Sequence, residues 1–398
     1  MLSASRDVVV IGAGVIGTAV AYALSEAGVQ VTVLDDKPVG SGCTLHGTGL
    51  VWKMIWNEKI QYKLAMEARD VLFDVAPRLH DATGIDPQLH QFDTILPIFN
   101  DEDVLRLERD IETSDGDIQV DWLSREDVLA MDRRINPEVQ RGAFLAGSAQ
   151  IDGYQLSQAQ ATAAQRNKVE FLRLRAIGLE RQGSKITGVV HTGGTIPCQN
   201  VVICMGAWSD IATNWLGFPV PIKPLKGETL RLRHADDFPV QIMRPSGGGA
   251  SPRKDGLLSV GATGTNRFSD LPGDMIQLEY DPTPTVEGRD YMLNLSRYVI
   301  PSLDTGEVVY HLAGPRPLSA DGMPIIGPVP DVEGAFVATG HRNKGIHLSA
   351  LTGQIIRDFV TTGVAETRTP LDRFLPTRFA GRQQIEFEVD GVTASASR

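Results

Sequence analysis

The chain has 398 residues, long for one compact core, so one large or two interleaved domains are expected. Its 42% hydrophobic and 22% charged residues are those of a globular protein, and a net charge of −11 with scattered Lys and Arg argues against nucleic acid or an anionic membrane as partner. Cys43, Cys198 and Cys204 lack C-x-x-C spacing and the even count of a disulfide framework, which suits a reducing compartment.

The first element is a β-branched strand, Val8 to Ile11, which runs into Gly12-Ala13-Gly14-Val15-Ile16-Gly17 and an Ala-rich helix. A second apolar strand, Val31 to Leu34, ends in Asp35, about 18 residues beyond the last glycine. Each part has a task in holding a dinucleotide. Gly12 permits the sharp turn, Gly14 the approach of a pyrophosphate, and Gly17 close packing of helix on sheet. The helix N-terminus offers free N–H groups to the phosphates, and Asp35 accepts the ribose hydroxyls. Arg6 is followed at once by Asp7, so the stretch lacks the basic start of a signal peptide. No uncharged run reaches the roughly 18 residues of a membrane span. The expected location is cytoplasmic.

A small-residue loop follows, Pro38 to Gly49, and then a long helix over 57–82, with Ile60, Leu64, Ala68, Val71, Leu72, Val75 and Leu79 at helical spacing. His90 to Phe99 reads as a strand, 101–113 as an acidic surface helix, and Ser124 to Met131 as a short helix capped by its serine. Tyr154 to Arg166 reads as a helix, and Glu170 to Leu179 as a strand with Ile186 to His191 as hairpin partner. Gln199 to Cys204 has the continuous apolar character of a buried parallel strand, leading into Met205-Gly206-Ala207-Trp208. Residues 220–313 read as extended chain in an antiparallel sheet. Gly-rich chain after 314, a strand Gly334 to Ala338, a helix from about Ser349 to Thr361 and a polar, fraying end complete the pattern.

Dinucleotide-type elements thus fall in three blocks, 1–85, 143–216 and 314–370, interleaved with a β-rich substrate-binding module, 86–142 and 217–313, and followed by a tail, 371–398. The expected fold is a discontinuous α/β Rossmann-type domain with an interleaved α+β, antiparallel-sheet domain. A nicotinamide dehydrogenase has a more contiguous cofactor domain, so the interruption favours a flavin.

Several further motifs carry a resemblance. They are Gly40-Ser41-Gly42-Cys43-Thr44, Gly206-Ala207-Trp208-Ser209, Lys226-Gly227-Glu228, Gly314-Pro315-Arg316-Pro317 with Asp321-Gly322-Met323-Pro324-Ile325-Ile326-Gly327, and Ala338-Thr339-Gly340-His341 running to Gly345-Ile346. With the glycine turn and Asp35, the chain resembles the FAD-dependent D-amino-acid oxidase superfamily, in particular its glycine oxidase, D-amino-acid dehydrogenase and sarcosine oxidase-like branch. The resemblance implies FAD, hydride transfer from a carbon bearing an amine, and a small substrate such as glycine, sarcosine, a D-amino acid or an imino acid. It leaves open whether oxygen or a redox partner takes the electrons, and whether the chain works alone, as a homo-oligomer, or as the flavin-bearing subunit of a hetero-oligomeric amine or opine dehydrogenase.

Arg316 matches the arginine of the family's G-x-R-P motif and is the implied anchor of the substrate carboxylate, to which a guanidinium pairs bidentately. Glycine oxidases place an arginine where Asn343 stands, so Arg342 or Lys344 is expected to face the flavin or the substrate instead. Thr44-Leu45-His46-Gly47-Thr48-Gly49-Leu50-Val51 resembles the T-W-H-A-A-G-L segment of dimethylglycine and sarcosine dehydrogenases, whose histidine is bonded to flavin. His46 is therefore read either as a covalent attachment point or as a loop histidine beside a non-covalent flavin. The implied cofactor residues are Gly12, Gly14, Ile16, Gly17, Asp35, Ser41, Cys43, Thr44, His46, Gly49, Leu50, Ala176, Gly206, Trp208, Arg316, Gly340, Arg342, Asn343, Gly345 and Ile346. Trp52, Met54, Trp56 and Tyr62 either line the substrate side or fill the core, with the core preferred, and Arg244 and Arg253 either face the pocket or lie in solvated loops, with the loops preferred. No His, Cys, Asp or Glu cluster has metal-ligand spacing.

Overall fold

The structure, a computed structural model, describes residues 6–54, 56–262, 277–382, 385–389 and 392–393. In chain order the elements are β1 (Arg6–Ile11), α1 (Val15–Glu26), β2 (Val31–Leu34), β3 (Leu50–Val51), α2 (Lys59–Thr83), β4 (His90–Ile98), α3 (Asp101–Thr113), β5 (Asp121–Ser124), α4 (Arg125–Met131) and β6 (Arg141–Gln150). Then come α5 (Gly153–Arg166), β7 (Glu170–Leu172), β8 (Ala176–Gln182), β9 (Lys185–His191), β10 (Gly194–Ile203), α6 (Ala212–Leu216), β11 (Ile222–Arg233), β12 (Gln241–Met243), β13 (Gly249–Pro252) and β14 (Leu258–Ala262). The remainder is α7 (Val286–Val299), β15 (Glu307–Ser319), β16 (Ile325–Pro328), β17 (Ala335–Thr339), α8 (Gly345–Thr362) and a small ladder between 388–389 and 392–393.

Two sheets organise these elements. The first runs β16-β17-β10-β1-β2-β7, with β9 pairing β10 and β8 pairing β9. Its centre is parallel, Val8 to Ile11 lying beside Asn200 to Ile203 on one side and Val31 to Leu34 on the other. Val8, Val9, Val10, Val201, Val202 and Ile203 are fully buried, as a parallel strand covered on both faces requires. The second sheet runs β15-β11-β14-β13-β12-β4-β6-β3, with β5 on β6.

Small residues set the helix packing on the first sheet. α1 packs on α5 and α8, and Thr18 donates to Gln160 Oε1 at 2.7 Å across the α1–α5 contact. α8 crosses α1 at Gly353, where a Cβ would come within 2.5 Å of the Ala19 carbonyl oxygen. This crossing fixes where the N-terminus of α8 points.

Several sequence expectations need correction. Glu170 to Leu179 is not one strand. β7 joins β2 in the first sheet, and after a turn at 173–175 β8 begins the hairpin with β9. Residues 220–313 are not wholly extended. They contain α7, capped by Thr285, whose Oγ1 accepts from Gly288 N at 3.0 Å. Pro282, Pro284 and Gly288 hide this start. The Gly-Pro-Arg-Pro segment is not loop but the end of β15, where both prolines are tolerated because β15 is an edge strand. Residues 141–150 and 314–319, placed by sequence partly or wholly with the dinucleotide half, are strands of the second sheet. α8 begins at Gly345 and not Ser349, with Lys344 as its N-cap residue. The fraying end expected beyond 383 lies largely outside the described residues. No helix among the described residues is long and apolar enough to cross a membrane.

Gly353→Ala is expected to destabilise the fold by about 1–3 kcal/mol, because neither helix backbone can yield at the crossing. Urea unfolding of the two proteins measures the difference.

Candidate active site

One cavity of about 540 Å³ lies at the carboxyl ends of β1, β2 and β10, and it runs on to a wall formed by β11, β13, β14, β15 and α7. Its position outside the strand ends is where open α/β sheets bind ligands.

The end nearest the first sheet is a glycine cradle. Gly12 has φ +110°, and a Cβ there would stand 2.3 Å from the Cys204 carbonyl oxygen. A Cβ on Gly17 would stand 1.8 Å from the Gly12 carbonyl oxygen, so strand end and helix start touch through backbone alone. Gly14 faces the cavity, with Thr44 Oγ1 the nearest atom to a Cβ built on it. That hydroxyl oxygen accepts from Val15 N at 3.0 Å in the first turn of α1. Asp35 closes the cradle, its Oδ2 accepting from Ala13 N at 2.7 Å and its Oδ1 from Lys37 N at 2.8 Å. Burial raises the pKa of this carboxyl, and the two N–H groups oppose the rise. Trp208 stacks on Tyr280 with ring centroids 5.4 Å apart, and Lys37 Nζ lies 4.9 Å from the Trp208 centroid.

The far end is built on the β11–β15 ladder. Gly227 stands opposite Gly314, and two facing glycines leave a trench in the sheet surface. The guanidinium of Arg316 lies over Gly227, where a Cβ would stand 1.9 Å from its Cζ. His46 lies over Gly314, its Nδ1 2.7 Å from the position a Cβ would take. That buried Nδ1 has no hydrogen-bond partner among the described residues. Burial lowers the Arg316 pKa to about 10, with Arg342 adding to the fall and Cys43 and Glu228 opposing it. Burial likewise lowers that of His46, with a smaller contribution from Arg231.

The turn into α8 supplies the adjoining part of the wall. Arg342 holds φ +49° and donates its N–H to the Pro317 carbonyl at 2.9 Å, next to Arg316. Lys344 Nζ lies 4.0 Å from the centroid of Trp56, whose ring meets His347 edge-on at 5.4 Å. His347 Nε2 lies 2.9 Å from the Ala65 carbonyl oxygen, so it carries the proton and donates. Burial lowers the His347 pKa to about 4 and that of His341, 3.1 Å from Thr352 Oγ1, to about 3.

Comparison with known proteins agrees with this layout. The family model DAO, FAD dependent oxidoreductase, matches residues 7–359. The chain belongs to this family. It is 29% identical over 366 residues to the glycine oxidase of Pseudomonas putida KT2440, covering 90% of this chain and 95% of the relative. It is also 28% identical over 429 aligned positions to the hydrogen cyanide synthase subunit HcnC of Pseudomonas aeruginosa PAO1, covering 95% and 97%. The crystal structure of glycine oxidase from Geobacillus kaustophilus superposes with a TM-score of 0.84 at 26% identity, covering 95% of this chain and all of that one.

As a DAO-family protein, the chain is an FAD-dependent oxidoreductase. The cradle fits that cofactor: a Cβ would fill the space over Gly14, and Asp35 ends β2 beside it. Most of the cofactor and substrate residues expected from sequence line the cavity. Gly17, Gly49 and Gly340 do not, since they shape the backbone behind the wall. Gly49, at φ +75°, would clash with the Ile151 carbonyl if substituted, and Gly340, at φ +77°, packs against Ser319. Trp52, Met54 and Trp56 are buried as expected, yet they also line the cavity, while Tyr62 does not. Arg244 and Arg253 are not solvated. Arg244 pairs with the fully buried Asp103 at 2.9 Å between the Phe99 and Tyr298 rings, and Arg253 pairs with Asp152 and Asp255, each at 2.9 Å. A buried carboxylate such as Asp103 needs that countercharge.

Sequence reasoning missed Met243, Tyr291, Met292 and Leu295, which complete the wall. The last three lie on α7. Glu228 ties that helix to the ladder, accepting from Thr285 N at 3.0 Å, Thr285 Oγ1 at 2.7 Å and His311 Nε2 at 2.7 Å. The Lys226-Gly227-Glu228 motif was the available signal.

Gly227→Ala is expected to displace the Arg316 guanidinium, raising substrate KM roughly ten-fold or more while FAD content stays that of the parent. Steady-state kinetics with the flavin absorbance ratio checks both. His341 and His347 have folded pKa values below their ordinary 6.5, so the unfolded chain takes up protons first as pH falls. Stability should therefore decline from about pH 6.5 towards pH 4, and His347→Gln should flatten part of that decline in urea unfolding across the range.

Proposed function

We propose that this chain oxidises a small amino acid or secondary amine at the carbon bearing its nitrogen. The observation that carries the reading is Arg316, a buried guanidinium seated in a glycine trench in the cavity wall. A guanidinium holds a carboxylate by two parallel hydrogen bonds and so fixes both position and rotation of a small substrate. When bound, FAD supplies the two-electron acceptor for the hydride leaving that carbon. The C–H bond breaks, the nitrogen lone pair forms C=N, and water then adds to release an oxo compound and an amine or ammonia. The two electrons pass on to oxygen or to a redox partner. The chain's own part is to bind and orient. Neutral His341 and His347, with apolar Trp52 and Met54, keep the walls from competing for the amine. A substrate bound as the free amine needs no protein base.

A second reading is supported by the identity to HcnC, a protein that is itself a subunit. In it this chain carries FAD within a larger assembly and hands electrons to a partner chain. Copurification with a second chain, together with reduction by substrate but no reoxidation in air, distinguishes that case.

Anaerobic titration of the holoprotein with glycine, sarcosine, D-alanine, D-proline and their L-isomers is expected to bleach the visible flavin bands with at least one of them. Arg316→Met should raise the half-bleaching concentration roughly a hundred-fold, the loss of a bidentate charged pair, and leave FAD bound. Flavin bands unmoved by every amine would contradict the reading.

A further inference from the structure

We infer that the hydroxyls of Ser251 and Ser259 form a two-donor site for a neutral carbonyl oxygen at the end of the substrate remote from its carboxylate. This rests on the amine-oxidation reading above and names the substrate class within it. The observation is the direction of a buried hydrogen-bond chain. Both serines are buried and line the cavity, on β13 and β14, while Gln150 and Gln241 are buried behind them. Gln150 Nε2 donates to the Thr48 carbonyl at 2.7 Å, which fixes the amide orientation, and to Ser259 Oγ at 2.9 Å. Thr94 Oγ1 gives its proton to Gln241 Oε1 at 2.8 Å, so Ser148 is the donor in its 2.7 Å contact with Thr94, and Gln241 Nε2 donates on to Ser251 Oγ at 2.6 Å. Each serine oxygen thus accepts from a buried amide, and neither O–H donates to a described residue.

Both chains of donors therefore end on a proton that is free to enter the cavity, and a donor already polarised from behind is the stronger for it. Ser251 stands directly opposite Ser259 in the β13–β14 ladder, and the side chains of such a pair lie about 5 Å apart. At that spacing two O–H groups reach one oxygen, each over about 2.7 Å. Arg231, the cross-strand partner of Ser259, pairs with Asp152 at 4.0 Å and does not line the cavity, so the oxygen that the hydroxyls meet is neutral, because a buried anion would need its own countercharge. Alternation along β11 puts Gly227, Thr229 and Arg231 on one face, which places the serine pair roughly 13 Å along the sheet from Gly227, under the Arg316 guanidinium. One hydrogen bond at each end leaves roughly 7 Å between the two bound oxygens, the span of a five-carbon chain with a carboxylate at one end and an amide at the other.

Matched pairs test this with the holoprotein. Binding is read from perturbation of the flavin bands by unreactive glutaramate, which ends in an amide, against hexanoate, which ends in carbon. Glutaramate is expected to bind roughly ten-fold tighter in the parent, and no tighter in the double variant Ser251→Ala, Ser259→Ala. The comparison in the parent decides by itself if the double variant does not fold. Turnover is read from anaerobic flavin reduction by D- and L-glutamine against D- and L-norleucine. The better glutamine isomer is expected to exceed its norleucine partner in kcat/KM by roughly ten-fold or more, because the apolar chain leaves both hydroxyls unanswered. Glutaramate bound no tighter than hexanoate would overturn the inference and leave amine oxidation standing. A double variant that keeps the preference but loses FAD affinity would also overturn it, since the hydroxyls would then serve the cofactor. Amines that never reduce the flavin, with glutaramate still held tighter through the two serines, would sink amine oxidation and support the two-hydroxyl site.

Discussion

The site depends on one cross-strand pair, Gly227 opposite Gly314 in the β11–β15 ladder. Any side chain at either position would occupy the trench in which Arg316 and His46 lie. The trench lets a guanidinium lie flat against the sheet while remaining part of the cavity wall. Withdrawing that charge from water is costly, and its lowered pKa expresses the cost. On the proposed role of Arg316, a substrate carboxylate would meet a guanidinium already placed by the trench, so less of its binding free energy would go into ordering the site. Glu228, beside Gly227 on the same strand, anchors the start of α7 and so carries the ladder's position over to Tyr291 and Met292.

The glycine cradle meets this wall through the N-terminus of α8. Gly353 seats α8 directly on α1, and Ile346, at the start of α8, fills the space left by Gly47 and Gly153. α8 is thereby tied to α1, whose N-terminus lines the cavity, and to the loop that carries His46. The Arg342 N–H bond to the Pro317 carbonyl then joins the α8 turn to the strand of Arg316. The glycine cradle and the Arg316 trench are held in one frame by close contacts at Gly353, Gly47 and Gly153 and by the Arg342–Pro317 bond.

The dinucleotide half was legible in sequence because its constraints are local. Gly12, Gly14 and Gly17 stand within one turn, and Asp35 follows one strand later. The capping box of Ser124 and Asp127 and the apolar stripe of α2 are local in the same way. The trench was not legible, because Gly227 and Gly314 lie far apart in sequence and only the register opposes them. α7 escaped because the glycine and prolines at its start read as loop, although Thr285 is an ordinary N-cap. Trp56 was read as core, and it is buried. Its second task, facing Lys344, exists only once α8 begins at Gly345.

The most direct measurement of the central claim is a crystal structure of the FAD-bound protein with propionate, which has a carboxylate and no oxidisable amine. The account predicts the carboxylate in a two-point contact with the Arg316 guanidinium over Gly227, inside the cavity shared with the flavin. Propionate bound elsewhere, with the Arg316 guanidinium turned out of the cavity wall, would contradict it.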